Sequence, residues 1–203
     1  MLVILDYGMG NLGSVSNMLN KLNCSHVISQ DKKDVLSATK LILPGVGSFD
    51  EAVKNLKHLD LWDIIIEKVH LEEIPILGIC LGMQLLANES EEGVLKGFGF
   101  IKARISKFNS NDGLKVPHMG WNRIKKLQSY HPLLHGIQTE SRFYFVHSYY
   151  FECEIEDDVA ATTGYGFDFA SVVSKKNIHG VQFHPEKSHR FGMHILSNFV
   201  KLC

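Results

Sequence analysis

Short uninterrupted apolar runs alternate with segments of helically spaced apolar positions through the first half of the chain. Residues 2–6 read as a buried strand. Leu12, Val15, Leu19 and Leu22 then fall three or four apart, the spacing that puts side chains on one helix face. Strands are predicted at 26–29 and 41–43, a helix at 50–67 with Asp50 as a cap or first-turn anion, and a further strand at 76–79. Strands alternating with helices predict an α/β fold: a central, mostly parallel sheet flanked by helices, because parallel neighbours need a crossover and a helix supplies it. After about Gly93 the pattern changes to short β-like pieces at 143–150, 159–163, 170–174 and 178–183, an additional mixed or antiparallel β region in the C-terminal half. An amphipathic helix at 189–202 carries Met193, Leu196, Phe199 and Val200 on one side. Residues 109–113 are the expected exposed loop. No repeat, low-complexity tract or linker divides the pattern, so one domain spanning 1–203 is expected.

Composition removes several function classes. With 203 residues and 45% apolar content, the chain can bury a sizeable core. A formal charge of −1 gives no electrostatic footprint for nucleic acid or an acidic membrane. The start lacks the basic leader and long apolar stretch of a signal peptide, and no later run approaches a membrane span, so a cytoplasmic protein is expected. The four cysteines, Cys24, Cys80, Cys153 and Cys203, are far apart, which suggests neither disulfides nor a zinc knuckle. His179, His184, His189 and His194 recur every five residues, but five residues turn a helix by roughly 140°, so they share no ligand face. Neither a metal nor a cofactor is expected.

One cysteine sits in a pattern that carries chemistry. Gly78-Ile-Cys-Leu-Gly82 follows an apolar strand and precedes a helical pattern. Glycines two positions either side remove the Cβ atoms that would clash in a sharp strand-to-helix turn, leaving the Cys80 side chain at its apex. Unpaired N–H groups there favour an anion, and the N–H of Leu81 is placed to stabilise a tetrahedral oxyanion. A buried structural cysteine is the alternative. A thiol nucleophile needs a base and the base an orienting acceptor. His184-Pro-Glu186 supplies both, since Pro185 favours a rigid turn in which residues one and three face the same way. Pro44-Gly-Val-Gly47, after another strand, can aim a main-chain N–H at developing negative charge, through Val46 or Gly47.

These segments, with Gly78-Ile-Cys-Leu-Gly-Met-Gln84, Val116-Pro-His-Met-Gly-Trp-Asn122, Phe145-Val-His-Ser-Tyr149 and Gly180-Val-Gln-Phe-His-Pro-Glu-Lys-Ser188, resemble class I glutamine amidotransferases, over essentially the whole chain. More narrowly, the chain is similar to the glutaminase subunits of imidazole glycerol phosphate synthase. The resemblance implies a flavodoxin-like amidotransferase fold and glutamine hydrolysis through a γ-glutamyl thioester on Cys80, with His184 and Glu186 completing the triad. It implies that Gln84 and the main chain around Gly47, His147, Ser148 and Tyr149 hold the glutamine. It also implies a separate (β/α)₈-barrel cyclase as heterodimer partner, which receives ammonia and makes imidazole glycerol phosphate and aminoimidazole carboxamide ribotide in histidine biosynthesis. Asn11, Met119, Trp121 and Lys187 are the candidates for that contact, although Trp121 could equally be a core residue. The double glycine at Pro44-Gly-Val-Gly47 further suggests a peptide flip under partner control.

Three other readings compete. Gly8-Met-Gly-Asn-Leu-Gly13 matches a dinucleotide fingerprint with Asp31 after the second strand, but Asp6 would sit beside the pyrophosphate. An amidotransferase serving amino- or amidino-sugar surface polysaccharides keeps the chemistry and changes the acceptor; the basic tail His189-Arg-Phe-Gly-Met193 motivates it. A non-catalytic scaffold is disfavoured because Cys80, His184 and Glu186 are all present.

Overall fold

The computed structural model describes residues 1–109, 113–127 and 130–203; the predicted loop at 109–113 falls mostly on 110–112, outside the described residues. Strands β1 (Leu2–Leu5), β2 (His26–Ser29), β3 (Lys40–Gly45) and β4 (Ile76–Cys80) pair in parallel in the order β2-β1-β3-β4. Strand β13 (Ile178–Val181), nearly a hundred residues later, pairs parallel with β4 in register Gly180 to Gly78 and Val181 to Ile79. Beyond it the sheet turns antiparallel, through β12 (Phe167–Lys175), β10 (Tyr149–Cys153) and β6 (Ala103–Lys107), with β5 (Glu89–Ser90) at its far edge. β11 (Val159–Tyr165) branches from β12 and carries β8 (Lys125–Lys126), while β7 (His118–Arg123) and β9 (Arg142–His147) form a separate antiparallel ribbon. The parallel half and the mixed C-terminal half are those the apolar pattern predicts.

Strand periodicity divides the core into two faces. Val3, Leu5, Leu41 and Leu43 point to one, where α3 (Phe49–His58) lays down Phe49, Ala52, Val53 and Leu56. Leu2, Ile4, Ile42, Leu77 and Ile79 point to the other, covered by Val15, Met18 and Leu19 of α1 (Leu12–Lys21) and by Ile195, Leu196 and Phe199 of α6 (His189–Leu202). Each buried Val, Leu, Ile, Met or Phe among them contributes roughly 1.5–3 kcal/mol. No helix among the described residues is long and apolar enough to cross a membrane.

Three local expectations are corrected. The helix expected at 50–67 breaks after Leu59: Asp60 takes φ 52° and Leu61 N–H closes back on Leu56 O, a left-handed helix ending that a short polar side chain tolerates. Separate helical turns follow, α4 (Trp62–Ile66) and a π-helical segment Glu67–Leu71. Of the two roles expected for Asp50, cap or first-turn anion, it takes the second: it lies in the first turn of α3 and accepts from Val94 N and Leu95 N. The strand expected at 143–150 is two, β9 and β10, parted at Ser148. The helical pattern after Cys80 is a single turn, α5 (Leu81–Gln84), since Gly97, Phe98 and Ile101 bond back onto the segment that follows it. The dinucleotide reading loses its support as well: Asp31 caps the short helix α2 (Lys32–Leu36) through Lys33 N, and Gly10 lacks a side chain because the Pro44–Gly45 backbone packs there.

Candidate active site

Cys80 is the last residue of β4, and its backbone sits at φ 53°, ψ −108°, a conformation costly for a residue with a Cβ. The flanking glycines permit it. A Cβ on Gly82 would lie 1.7 Å from Leu43 O, and one on Gly78 would lie 2.5 Å from Gly82 O. The strand therefore turns without room for any other residue, and the thiol is presented at the C-terminal edge of the parallel strands, where open α/β sheets place their sites.

Neighbouring β13 leads to the candidate base. Three residues beyond its end, His184 N–H donates to Tyr144 O of β9 (2.9 Å), and the Ser188 hydroxyl donates to His184 O (2.6 Å) while accepting from Tyr144 N (3.0 Å). His184 Nδ1 meets Glu186 Oε1 at 2.8 Å, both side chains almost wholly buried. That contact fixes the tautomer and leaves Nε2 for the thiol. Burial opposes a charge on the ring, yet the adjacent Cys80 side chain and the Glu186 carboxylate outweigh it and raise His184 to about 10. The ring thus holds a proton readily, as a base for a thiol must. Among the described residues His184 Nε2 and Glu186 Oε2 have no hydrogen-bond partner. The thiol is close enough to shift the imidazole without closing an ordinary hydrogen bond; such contacts often tighten only once substrate is bound.

A cleft of about 500 Å³ opens over Cys80. Val46, Gly47, Leu81, Gln84, His147, Ser148 and Tyr149, the residues expected at the oxyanion and glutamine positions, all line it, and Lys187 stands on its rim. Leu81 is the first residue of α5, whose N–H has no partner within the helix. Gly47 has φ 118°, and a Cβ there would strike Met9 Cε at 2.4 Å. The start of that loop is pinned, because the buried Tyr7 hydroxyl donates to Pro44 O at 2.6 Å. Burial, with Cys80 nearby, pushes the Tyr7 hydroxyl far above its ordinary range, so it stays a donor.

Gln84 and His147 line the cleft with their donors already committed. Gln84 Nε2 donates to Tyr149 O and to Gln182 Oε1, both at 3.2 Å. His147 Nδ1 donates to Tyr149 O (2.8 Å), and its Nε2 accepts from His118 Nδ1 (2.9 Å). Both rings are held neutral: burial lowers His147 to about 3 and His118 to about 4.

The sequence reading missed Glu92, Pro117 and Val146, which also line the cleft. Glu92 Oε2 accepts from Phe49 N (2.9 Å), and burial raises its carboxyl against that bond. It places a carboxylate at the cleft wall. Of the expected contact residues, Met119 (65% exposed) and Trp121 (46% exposed) stand on β7, so Trp121 is not a core residue. Trp121 stacks on His189 and lies edge-on to Tyr144, whose ring in turn faces Lys187 Nζ. Asn11 is exposed at the start of α1 and makes no side-chain cap.

The family profile described as glutamine amidotransferase class-I matches residues 3–203. The chain belongs to the class I glutamine amidotransferases. This amidotransferase is 54% identical over 99% of both chains to the imidazole glycerol phosphate synthase subunit HisH 2 of Methanococcus maripaludis. It is 46% identical over the full length of both to the subunit of the same name in Pseudomonas aeruginosa. A crystal structure titled glutamine amidotransferase superposes with a TM-score of 0.73 at 19% identity, covering 97% of this chain and 98% of that one, and so shares the fold.

Proposed function

We propose that the whole chain acts as one glutaminase domain, with Cys80 as nucleophile, His184 as general base and acid, and Glu186 as the group that orients His184. The Cys80 sulfur attacks the glutamine γ-carbonyl after its proton passes to His184 Nε2. The N–H of Leu81 and a main-chain N–H of Val46 or Gly47 receive the oxyanion. When the C–N bond breaks, His184 protonates the leaving nitrogen and ammonia departs. His184 then deprotonates a water that attacks the thioester, releasing glutamate and restoring the thiol. Main chain at Ser148 and Tyr149 and the Gln84 carbonyl oxygen offer partners for the substrate's head, and the Glu92 carboxylate suits its α-ammonium. The observation that carries this reading is Cys80 held at positive φ under a cleft beside the buried His184–Glu186 pair. Cys80→Ala is expected to abolish glutamine-dependent synthesis while sparing synthesis from added ammonium; persistence of the former rejects the nucleophile.

Relatives at 46–54% identity are named as synthase subunits, which supports a partner subunit as acceptor of the ammonia. We infer a cytoplasmic heterodimer with a (β/α)₈-barrel cyclase in histidine biosynthesis, docked over Met119, Trp121, Lys187 and Asn11. Reorientation of Val46 and Gly47 on docking would align the second oxyanion donor; glutaminase turnover unchanged by cyclase and acceptor refutes that control. A paralogue serving amino- or amidino-sugar synthesis is the second reading, carried by the basic segment His189-Arg-Phe-Gly-Met193, whose His189 stacks on the exposed Trp121 among the candidate contact residues. Failure to restore histidine-independent growth in a strain lacking its own glutaminase subunit would favour this second reading.

A further inference from the structure

Gln182 is fully buried, stands two residues before the base, and takes no part in the proton transfers just described. Its Nε2 lies 3.7 Å from Cys80 Sγ. Among the described residues it is the side-chain N–H donor within hydrogen-bond range of that sulfur. The other polar contact of Sγ is Val146 O at 3.9 Å, which can accept from a thiol but offers nothing to a thiolate.

The direction of the Gln182 amide is fixed by a chain of acceptors and donors. Tyr149 O can only accept, so the Gln84 group 3.2 Å from it is the NH₂. That same NH₂ reaches Gln182, so the atom it meets there is Oε1, and the Gln182 NH₂ is turned to the sulfur. His147 Nδ1 donates to the same carbonyl, and its Nε2 accepts from His118, whose own Nε2 meets Asn122 Nδ2 at 3.3 Å. A flip of the Gln84 amide would set its oxygen against two acceptors, and a flip of the Gln182 amide would set donor against donor. Two donor chains therefore converge on the Tyr149 carbonyl, one from β7 through the histidines, while from Gln84 the donors run on through Gln182 to the sulfur.

We propose that Gln182 is a positioning residue for the nucleophile: its amide, locked by Gln84 and the Tyr149 carbonyl, holds the Cys80 sulfur and donates to it more strongly as a thiolate than as a thiol. A hydrogen bond to an ionised acceptor is shorter and stronger than a neutral one, so the contact favours the attacking state. This deepens the proposed reaction and rests on Cys80 being its nucleophile.

The test is made on the full chain with two substitutions. Gln182→Met keeps the volume and removes the donor; Gln182→Glu keeps the acceptor for Gln84 and turns an anion on the sulfur. Alkylation of the Cys80 peptide by iodoacetamide, read by mass spectrometry at neutral pH, is expected to slow at least about fivefold in Gln182→Met and further in Gln182→Glu. The kcat for glutamine is expected to fall about tenfold with KM within about twofold. Equal alkylation and kcat in a cooperatively melting Gln182→Met overturn the proposal. Should neither variant fold, the Gln182 side-chain amide resonance is followed in the parent fold on going to Cys80→Ala: a shift supports the contact, and an unmoved resonance overturns it. Loss of glutaminase in Cys80→Ala is a separate result, so failure of the nucleophile and failure of its holder are told apart.

Discussion

Acidifying the protein from about pH 6.5 to about pH 5 is expected to remove roughly 2 kcal/mol of unfolding free energy through His147 alone. Burial holds His147 neutral down to about pH 3 in the fold, with its Nδ1–H given to Tyr149 O and its Nε2 occupied by His118. The unfolded chain takes up that proton near pH 6.5. A folded value below the unfolded one gives stability that is present above about pH 6.5 and lost as the pH falls towards the folded value. Each unit travelled in that window costs about 1.4 kcal/mol. His118 and His179, both lowered to about 4 by burial, act in the same direction, so the total loss exceeds the figure for His147. Urea midpoints and slopes at the two pH values provide the measurement, compared with His147→Gln. That variant starts less stable, but its pH-dependent loss should be smaller than that of the parent by roughly 2 kcal/mol. Parallel losses in the two proteins would refute the argument that His147 is stored neutral.

Three further outcomes are expected. At the alkaline end, raised His184 contributes stability that is complete below about pH 6.5 and disappears as the pH climbs through about 10; Glu186→Gln should flatten that limb of the denaturation profile. Gly82→Ala should destabilise by at least about 3 kcal/mol or prevent folding, because its Cβ meets the backbone of β3 and not a movable side chain; a melting temperature near the parent's contradicts the packing described. Lys40→Met should cost about 2 kcal/mol, since Lys40 Nζ donates to Phe199 O and Val200 O at 3.0 and 2.9 Å and to Cys203 O at the end of α6; hydrogen exchange at the last turn of that helix locates the loss.

The parallel strands, α1, α6 and the nucleophile turn were legible because each is written in local spacing: apolar runs, three-four periodicity, glycines flanking Cys80. The break at Asp60 was not, because an aspartate in left-handed geometry leaves no mark distinguishing it from an ordinary helix-surface residue. Glu92 was missed for a related reason. Nothing in its spacing ties it to Cys80, and only the turn that follows β5 carries it to the cleft wall. Gln182 lies inside the predicted strand at 178–183 with nothing in its spacing to tie it to Cys80, and the His118–His147 pair exists only through the register of β7 against β9. Sequence gives chemistry that is local in the chain; contacts created by strand pairing wait for the fold.

The pairing of β13 with β4 has one more consequence. Cys80 ends one of these parallel neighbours and His184 follows the other, more than a hundred residues later in the chain, so the two side chains meet only where that pairing is made. A chain ending before β13 would keep the cysteine turn and lack His184, and the reaction proposed above could not run in it.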